Sequence, residues 1–150
     1  MQQSITQLNK YIEKHKLRHS TERVKVLEEI IAMNSRFTTL SLYESINTHY
    51  PISKAAVYNI INFLLDASII IRHPLPGRDV QYEATTRAVT HHIRICNKCG
   101  MVKEFTDQKI SRTTKMRKFT TFHTQFHMVY LYGICKKCMT PKERKQLISK

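Results

Sequence analysis

Two Cys-x-x-Cys pairs, Cys96-Asn97-Lys98-Cys99 and Cys135-Lys136-Lys137-Cys138, constrain this chain more than any other feature, because they account for all 4 of its cysteines. Two intervening residues let both thiolates of a pair reach one tetrahedral ion with bonds of about 2.3 Å, and two such pairs complete a four-sulfur zinc site. The 35 residues between Cys99 and Cys135 exceed the spacing of simple zinc fingers. The ion is therefore expected to pin the end of a late strand to an early hairpin, with a helix inserted between. Closed coordination leaves no position for a substrate, which makes this zinc structural, one ion per chain. Two disulfides or a redox-active pair are the competing readings, and a reducing compartment disfavours both.

That compartment is inferred from the rest of the chain. The opening residues Met1 to Lys10 lack a basic segment followed by an apolar one, and the longest apolar stretches are as short as Ile69-Ile70-Ile71. No membrane span and a cytoplasmic location are expected. The formal charge of +14 favours an anionic partner, yet it is unevenly placed: residues 1–80 carry 10 basic and 7 acidic side chains, residues 81–150 carry 15 and 4. Most of the excess lies in the half that holds the cysteines.

Pro74-Leu75-Pro76-Gly77 marks a turn about midway. Before it the apolar spacing is helical. Leu8, Tyr11 and Ile12 predict an opening helix; Val24, Leu27, Ile30 and Ile31 predict a second, capped by Ser20 or Thr21; Leu42, Tyr43 and Ile46 predict a third, which must end before Pro51. Ser53 caps a fourth, whose Val57, Ile60, Ile61, Leu64 and Leu65 form an inward stripe while Lys54, Ala55, Tyr58, Asn59 and Asn62 face outward. Ile69 to His73 and Val80 to Ala84 read as two strands joined by the turn. Helices followed by such a hairpin form the winged-helix pattern, with the third and fourth helices as a helix-turn-helix that presents Lys54, Ala55, Tyr58 and Asn59 to a major groove. An ordinary helical bundle with a polar face is the plainer alternative.

After the turn, His92 to Cys96 and Met101 to Phe105 flank the first knuckle as strands. Asp107 to Phe119, with Lys109, Arg112, Lys115, Arg117 and Lys118, reads as a helix, and Phe126 to Tyr132 as a well-buried strand. A basic tail after Pro141 is either a short helix or disordered. The fold class is α+β: an N-terminal winged-helix domain over residues 1–84 and a small zinc-containing domain over residues 85–150.

The whole pattern resembles the ferric uptake regulator family of dimeric, metal-responsive transcription factors. Ala55-Ala56-Val57-Tyr58, the stretch from Gly77 to Tyr82-Glu83, His91-His92 before Cys96-x-x-Cys99-Gly100, Glu104-Phe105, and His127 through Tyr130-Leu131-Tyr132-Gly133 to Cys135 carry the resemblance. It implies a homodimer on a double-stranded, palindromic operator, with residues 85–150 as the dimerisation and regulatory domain. It also implies a regulatory divalent ion (Fe²⁺, Zn²⁺ or Mn²⁺), for which Glu83, His91 and Glu104 stand at family ligand positions.

Two further positions depart from that pattern. Arg36 and Ile93 occupy places where histidines are expected. In a regular strand His91 and His92 point to opposite faces, so they cannot share one compact site; His92 could instead join His127, beside Thr90 and Ser111, in a second one. His73 or His123 could be recruited, and Arg36 could pair with Glu83 or Glu104 and imitate the metal's charge. Tyr58 matches the family's base-contacting tyrosine, and Asn59 follows it where arginine is common, favouring contact with adenine. Arg18 and Arg23 are candidates for phosphate or minor-groove contacts.

The expectation is therefore a DNA-binding regulator, a repressor by what the resemblance implies, that responds to metal through an altered site. The alternative is a zinc-stabilised interaction or RNA-binding protein that no longer senses metal. An enzyme is not expected, because no nucleophile, base and acid come together in the pattern.

Overall fold

The structure, a computed structural model, describes residues 2–77 and 79–148, and for residues 115 and 146–148 the backbone alone. Contacts group the chain into two units, Met1–Pro74 with Arg78–Ala88, and Leu75–Gly77 with Val89–Lys150.

In the first unit, α1 (Gln2–Lys14), α2 (Thr21–Met33), α3 (Thr39–Asn47) and α4 (Lys54–Asp66) precede the antiparallel strands β1 (Ile70–His73) and β2 (Gln81–Ala84) and the short α5 (Thr85–Ala88). Each long helix buries one stripe. Leu8 and Ile12, Val26, Leu27 and Ile30, Leu42 and Ile46, and Val57, Ile60, Ile61 and Leu64 meet in one apolar core. The helix ends have local causes. Asn34 closes α2 in the left-handed conformation, its N–H bonded to the Ile31 carbonyl. Thr38 and Ser41 open α3 with a reciprocal capping box. Ser53 opens α4 by accepting the Ala56 N–H at 3.1 Å. Between α3 and α4, the Ile52 side chain is buried and its N–H donates to Asn47 Oδ1 at 3.3 Å, which fixes the helix-turn-helix. Phe37 and Tyr82 exchange both backbone hydrogen bonds, at 2.9 and 2.8 Å, and tie the start of α3 to the wing.

The second unit is built on β3 (His92–Cys96), β4 (Val102–Phe105) and β5 (Tyr130–Gly133), in the order β4-β3-β5 with β5 parallel to β3. A parallel neighbour needs a crossover, and α6 (Gln108–Met116) lies within it. Asp107 caps α6 by accepting the Lys109 and Ile110 N–H groups at 2.8 and 3.0 Å. The chain ends in α7 (Pro141–Ile148), opened by a second capping arrangement in which Thr140 N–H donates to Glu143 Oε2 at 2.7 Å. The tail is thus helical through Ile148, and residues 149–150 lie outside the description.

Two expectations are corrected here. Helix α6 stops at Met116 instead of Phe119, with Arg117 already extended. Its cations recur at three-residue spacing with no acidic partner on the helix, and β-branched Thr120 and Thr121 follow, so neither charge nor propensity carries it further. The final strand is four residues long, and its side chains are half-buried to exposed, Tyr132 reaching 56%. Phe126 to Val129 belong to no strand. The reason is sheet position: β5 bonds β3 along one edge only among the described residues, and a continuous apolar run is buried only where something covers both faces.

Candidate metal centres and nucleic-acid interface

The four cysteines converge although 35 residues separate the two pairs. Strand β3 delivers Cys96, the knuckle after it Cys99, and the turn leaving β5 delivers Cys135 and Cys138. All four Sγ atoms lie within 4.8 Å of one another. Cys99 Sγ and Cys135 Sγ are 3.7 Å apart, far beyond a disulfide bond. The edge of a tetrahedron with zinc–sulfur bonds of about 2.3 Å is about 3.8 Å, so the arrangement fits a closed Zn²⁺ site. Protonation points the same way. Backbone N–H donation from Cys135, and then from Cys99, draws the Cys96 thiol down to about 6, whereas the neighbouring sulfurs of Cys99 and Cys135 push Cys138 up to about 12. Four thiols this close cannot all ionise without a cation among them.

The two adjacent histidines reach different partners. His91 is buried, and its Nε2 lies 3.8 Å from Glu104 Oε1. Because Ile93 is the cross-strand partner of Glu104, His91 and Glu104 are diagonal neighbours. His92, 1% exposed, places Nε2 3.1 Å from Ser111 Oγ on α6 and its ring edge-on to Phe105 at 5.4 Å. Ile93 itself is fully buried, a core residue. His127 is half-buried just before β5.

In the first unit Glu83 is fully buried in the wing. His73 Nε2 lies 2.8 Å from its Oε2, and the Arg87 guanidinium contacts its Oε1. Sequence reasoning named His73 only in passing and missed Arg87. The signal was the four-residue spacing from Glu83 to Arg87, hidden because no helix was expected after the wing.

The outward face of α4 is open. Lys54, Ala55 and Asn59 are exposed and Tyr58 is 50% exposed, above the fully buried stripe of Val57 and Leu64. Arg18 is exposed on the loop before α2. Arg23 is half-buried: its guanidinium stacks 4.0 Å above the Phe63 ring, and Nη1 donates to the Arg18 carbonyl at 2.9 Å. This side chain therefore also braces α2 against α4.

The ferric uptake regulator family model matches residues 14–132. The chain belongs to that family. It thereby joins a group of metal-responsive transcription regulators. It is 25% identical over 140 residues to the peroxide-responsive repressor PerR of Staphylococcus saprophyticus, covering 92% of this chain and 90% of that one. Among solved structures, the ferric uptake regulator of Vibrio cholerae aligns with a TM-score of 0.56 at 29% identity, over 85% of this chain and 98% of its own. The Helicobacter pylori ferric uptake regulator, a protein with three functional metal-binding sites, aligns with a TM-score of 0.63 at 24% identity, over 93% and 95% of the two chains, and supports the fold. No helix among the described residues is long and apolar enough to cross a membrane.

Proposed function

We propose that this protein is a homodimeric repressor of transcription that binds a palindromic operator and whose affinity responds to a divalent ion, Fe²⁺, Zn²⁺ or Mn²⁺. In this reading residues 1–84 form the DNA-binding domain and residues 85–150 the dimerisation and regulatory domain. The observation that carries it is the two-sided α4: one side is sealed into the core, and the other presents Lys54, Ala55, Tyr58 and Asn59 with little side-chain bulk at its N-terminal end. Small residues there permit close approach to base edges, Asn59 can bond adenine bidentately, and Lys54 can reach a phosphate. Arg18 and Arg23 supply backbone contacts beside it. The outer edge of β5, which pairs with no further strand among the described residues and has Leu131 and Tyr132 exposed, supports dimerisation. Candidate donors for the responsive ion are Glu83, His91 and Glu104, with His92 and His127 as donors of a second site; such an ion supplies concentrated positive charge that draws carboxylates and imidazoles together.

The test is selection of bound duplexes from a random pool, followed by binding at physiological salt with competitor DNA, with and without added Fe²⁺, Mn²⁺ or Zn²⁺. A selected half-site repeated with dyad symmetry and a metal-dependent affinity supports the reading; binding that falls uniformly with salt sinks it.

A second reading, a zinc-stabilised partner of acidic protein or RNA, is favoured by a hollow of about 820 Å³ beside the knuckles. Ile95, Met101 and Leu131 line it and Arg94, Lys103 and Arg144 are among its cations, with no acidic side chain among the described lining residues. Retention of RNA in preference to any selected duplex would favour this reading.

A further inference from the structure

The wing holds a buried carboxylate that meets an imidazole and a guanidinium of its own unit. Glu83 and His73 are both fully shielded from solvent. The β1–β2 register pairs Ile71 with Glu83, so His73, two residues on, shares the face of Glu83 as its diagonal neighbour. That geometry brings His73 Nε2 to 2.8 Å from Glu83 Oε2, while Arg87 lays its guanidinium on Oε1. A lone buried carboxylate is costly, and a cation must accompany it. Arg87 supplies a cation there, and of the three side chains it alone reaches solvent, at 24% exposure.

We propose that His73 and Glu83 are the first unit's donor pair for the responsive divalent ion, and that the Arg87 guanidinium holds the ion's place on the carboxylate until the ion displaces it. This rests on the metal-responsive reading above. Two ligands of one ion with bonds of about 2.1 Å sit about 3 Å apart, so the pair needs to open by only a few tenths of an ångström. The proton shared between imidazole and carboxylate leaves to solvent as the ion binds, and Arg87 swings outward on its long stem. The arrangement also supplies an imidazole to a chain that has Arg36 and Ile93 where histidines are expected. Ion and guanidinium compete for one carboxylate, so the two side chains flanking Glu83 have opposite effects on metal affinity. A purely structural ion pair has no such opposition.

The experiment uses the full-length protein with zinc in its cysteine centre and Co²⁺ as probe, read by calorimetry and by the visible ligand-field spectrum. Mn²⁺ is added for pulsed electron paramagnetic resonance, which counts bound imidazole nitrogens. His73→Gln is expected to weaken Co²⁺ binding by about tenfold or more and to remove one nitrogen coupling, whereas Arg87→Met is expected to tighten Co²⁺ binding several-fold. Unchanged affinity and spectrum in both variants would overturn the proposal while leaving the metal-responsive reading intact. If the wild-type protein takes up no Co²⁺ beyond its zinc, the metal-responsive reading fails and the proposal falls with it. If His73→Gln does not fold, Arg87→Met decides alone, since it removes no donor: tighter binding supports the proposal, and equal or weaker binding overturns it.

Discussion

The two units reach stability by different routes. In the first, four helices each contribute at least two fully buried aliphatic side chains to one core. In the second, Ile93, Ile95 and Cys96 are the buried apolar residues among those described, and the buried polar residues are His91 and His92. A three-stranded sheet with so little core needs a staple, and the cysteine centre ties β3 to the turn that follows β5. The contrast teaches where each kind of damage will be felt.

Metal removal should break the comparison most sharply. Structural zinc contributes on the order of 10 kcal/mol of apparent folding energy, so a strong chelator or Cys99→Ser should unfold the second unit while α1 to α4 keep their amide protection. Hydrogen exchange by mass spectrometry reads both units at once, and uniform protection across the chain after zinc loss would refute the division. Acid should act in the same direction. Backbone N–H donation favours the Cys96 thiolate, and protons compete with zinc for all four sulfurs, so the ion is held at neutral pH and released in acid. Zinc release followed with a colorimetric chelator should rise on acidification.

Leu64→Ala is the converse probe. This side chain is fully buried on α4, and its truncation should cost about 2–5 kcal/mol in denaturant unfolding of the first unit with zinc content unchanged. Next in size, Asn59→Ala should weaken selected operator binding by about 1–3 kcal/mol and relax preference at one base position, with no change in melting temperature. Ser53→Ala, which deletes the α4 cap, should destabilise by about 1 kcal/mol. The smallest effect belongs to α7. Hydrogen bonds from the Thr140 backbone and side chain hold the Glu143 carboxyl below the usual carboxylate range, so its capping contribution is present at neutral pH and fades as pH falls through that lowered value. Carbon-13 titration of Glu143 with amide exchange in α7 checks it.

Much of this was readable from residue order. The α4 stripe of Val57, Ile60, Ile61 and Leu64 and the outward Tyr58 follow from a 3.6-residue period, and the two cysteine pairs name their own ligand chemistry. Local rules failed where a segment's neighbours decide the outcome. Phe126 to Tyr132 reads as an inner strand because its composition is apolar, but burial depends on what lies alongside, and β5 has one strand neighbour among the described residues. The end of α6 was misplaced because apolar spacing persists to Phe119 while its cations find no acidic partners.

The sequence by itself determined the chemistry available: four thiols in two close pairs, a capped amphipathic helix with a small polar face, and adjacent histidines before Cys96. These depend on composition and on spacings of a few residues, which local geometry preserves. Only the tertiary structure decided who meets whom. Antiparallel register made His73 the diagonal neighbour of Glu83, and a four-residue helix after the wing brought Arg87 onto the same carboxylate. The parallel pairing of β5 with β3 brought Cys135 to Cys99. The His73–Glu83 and Cys99–Cys135 meetings span 10 and 36 positions, and their partners are selected by burial and register, which no short window of sequence contains.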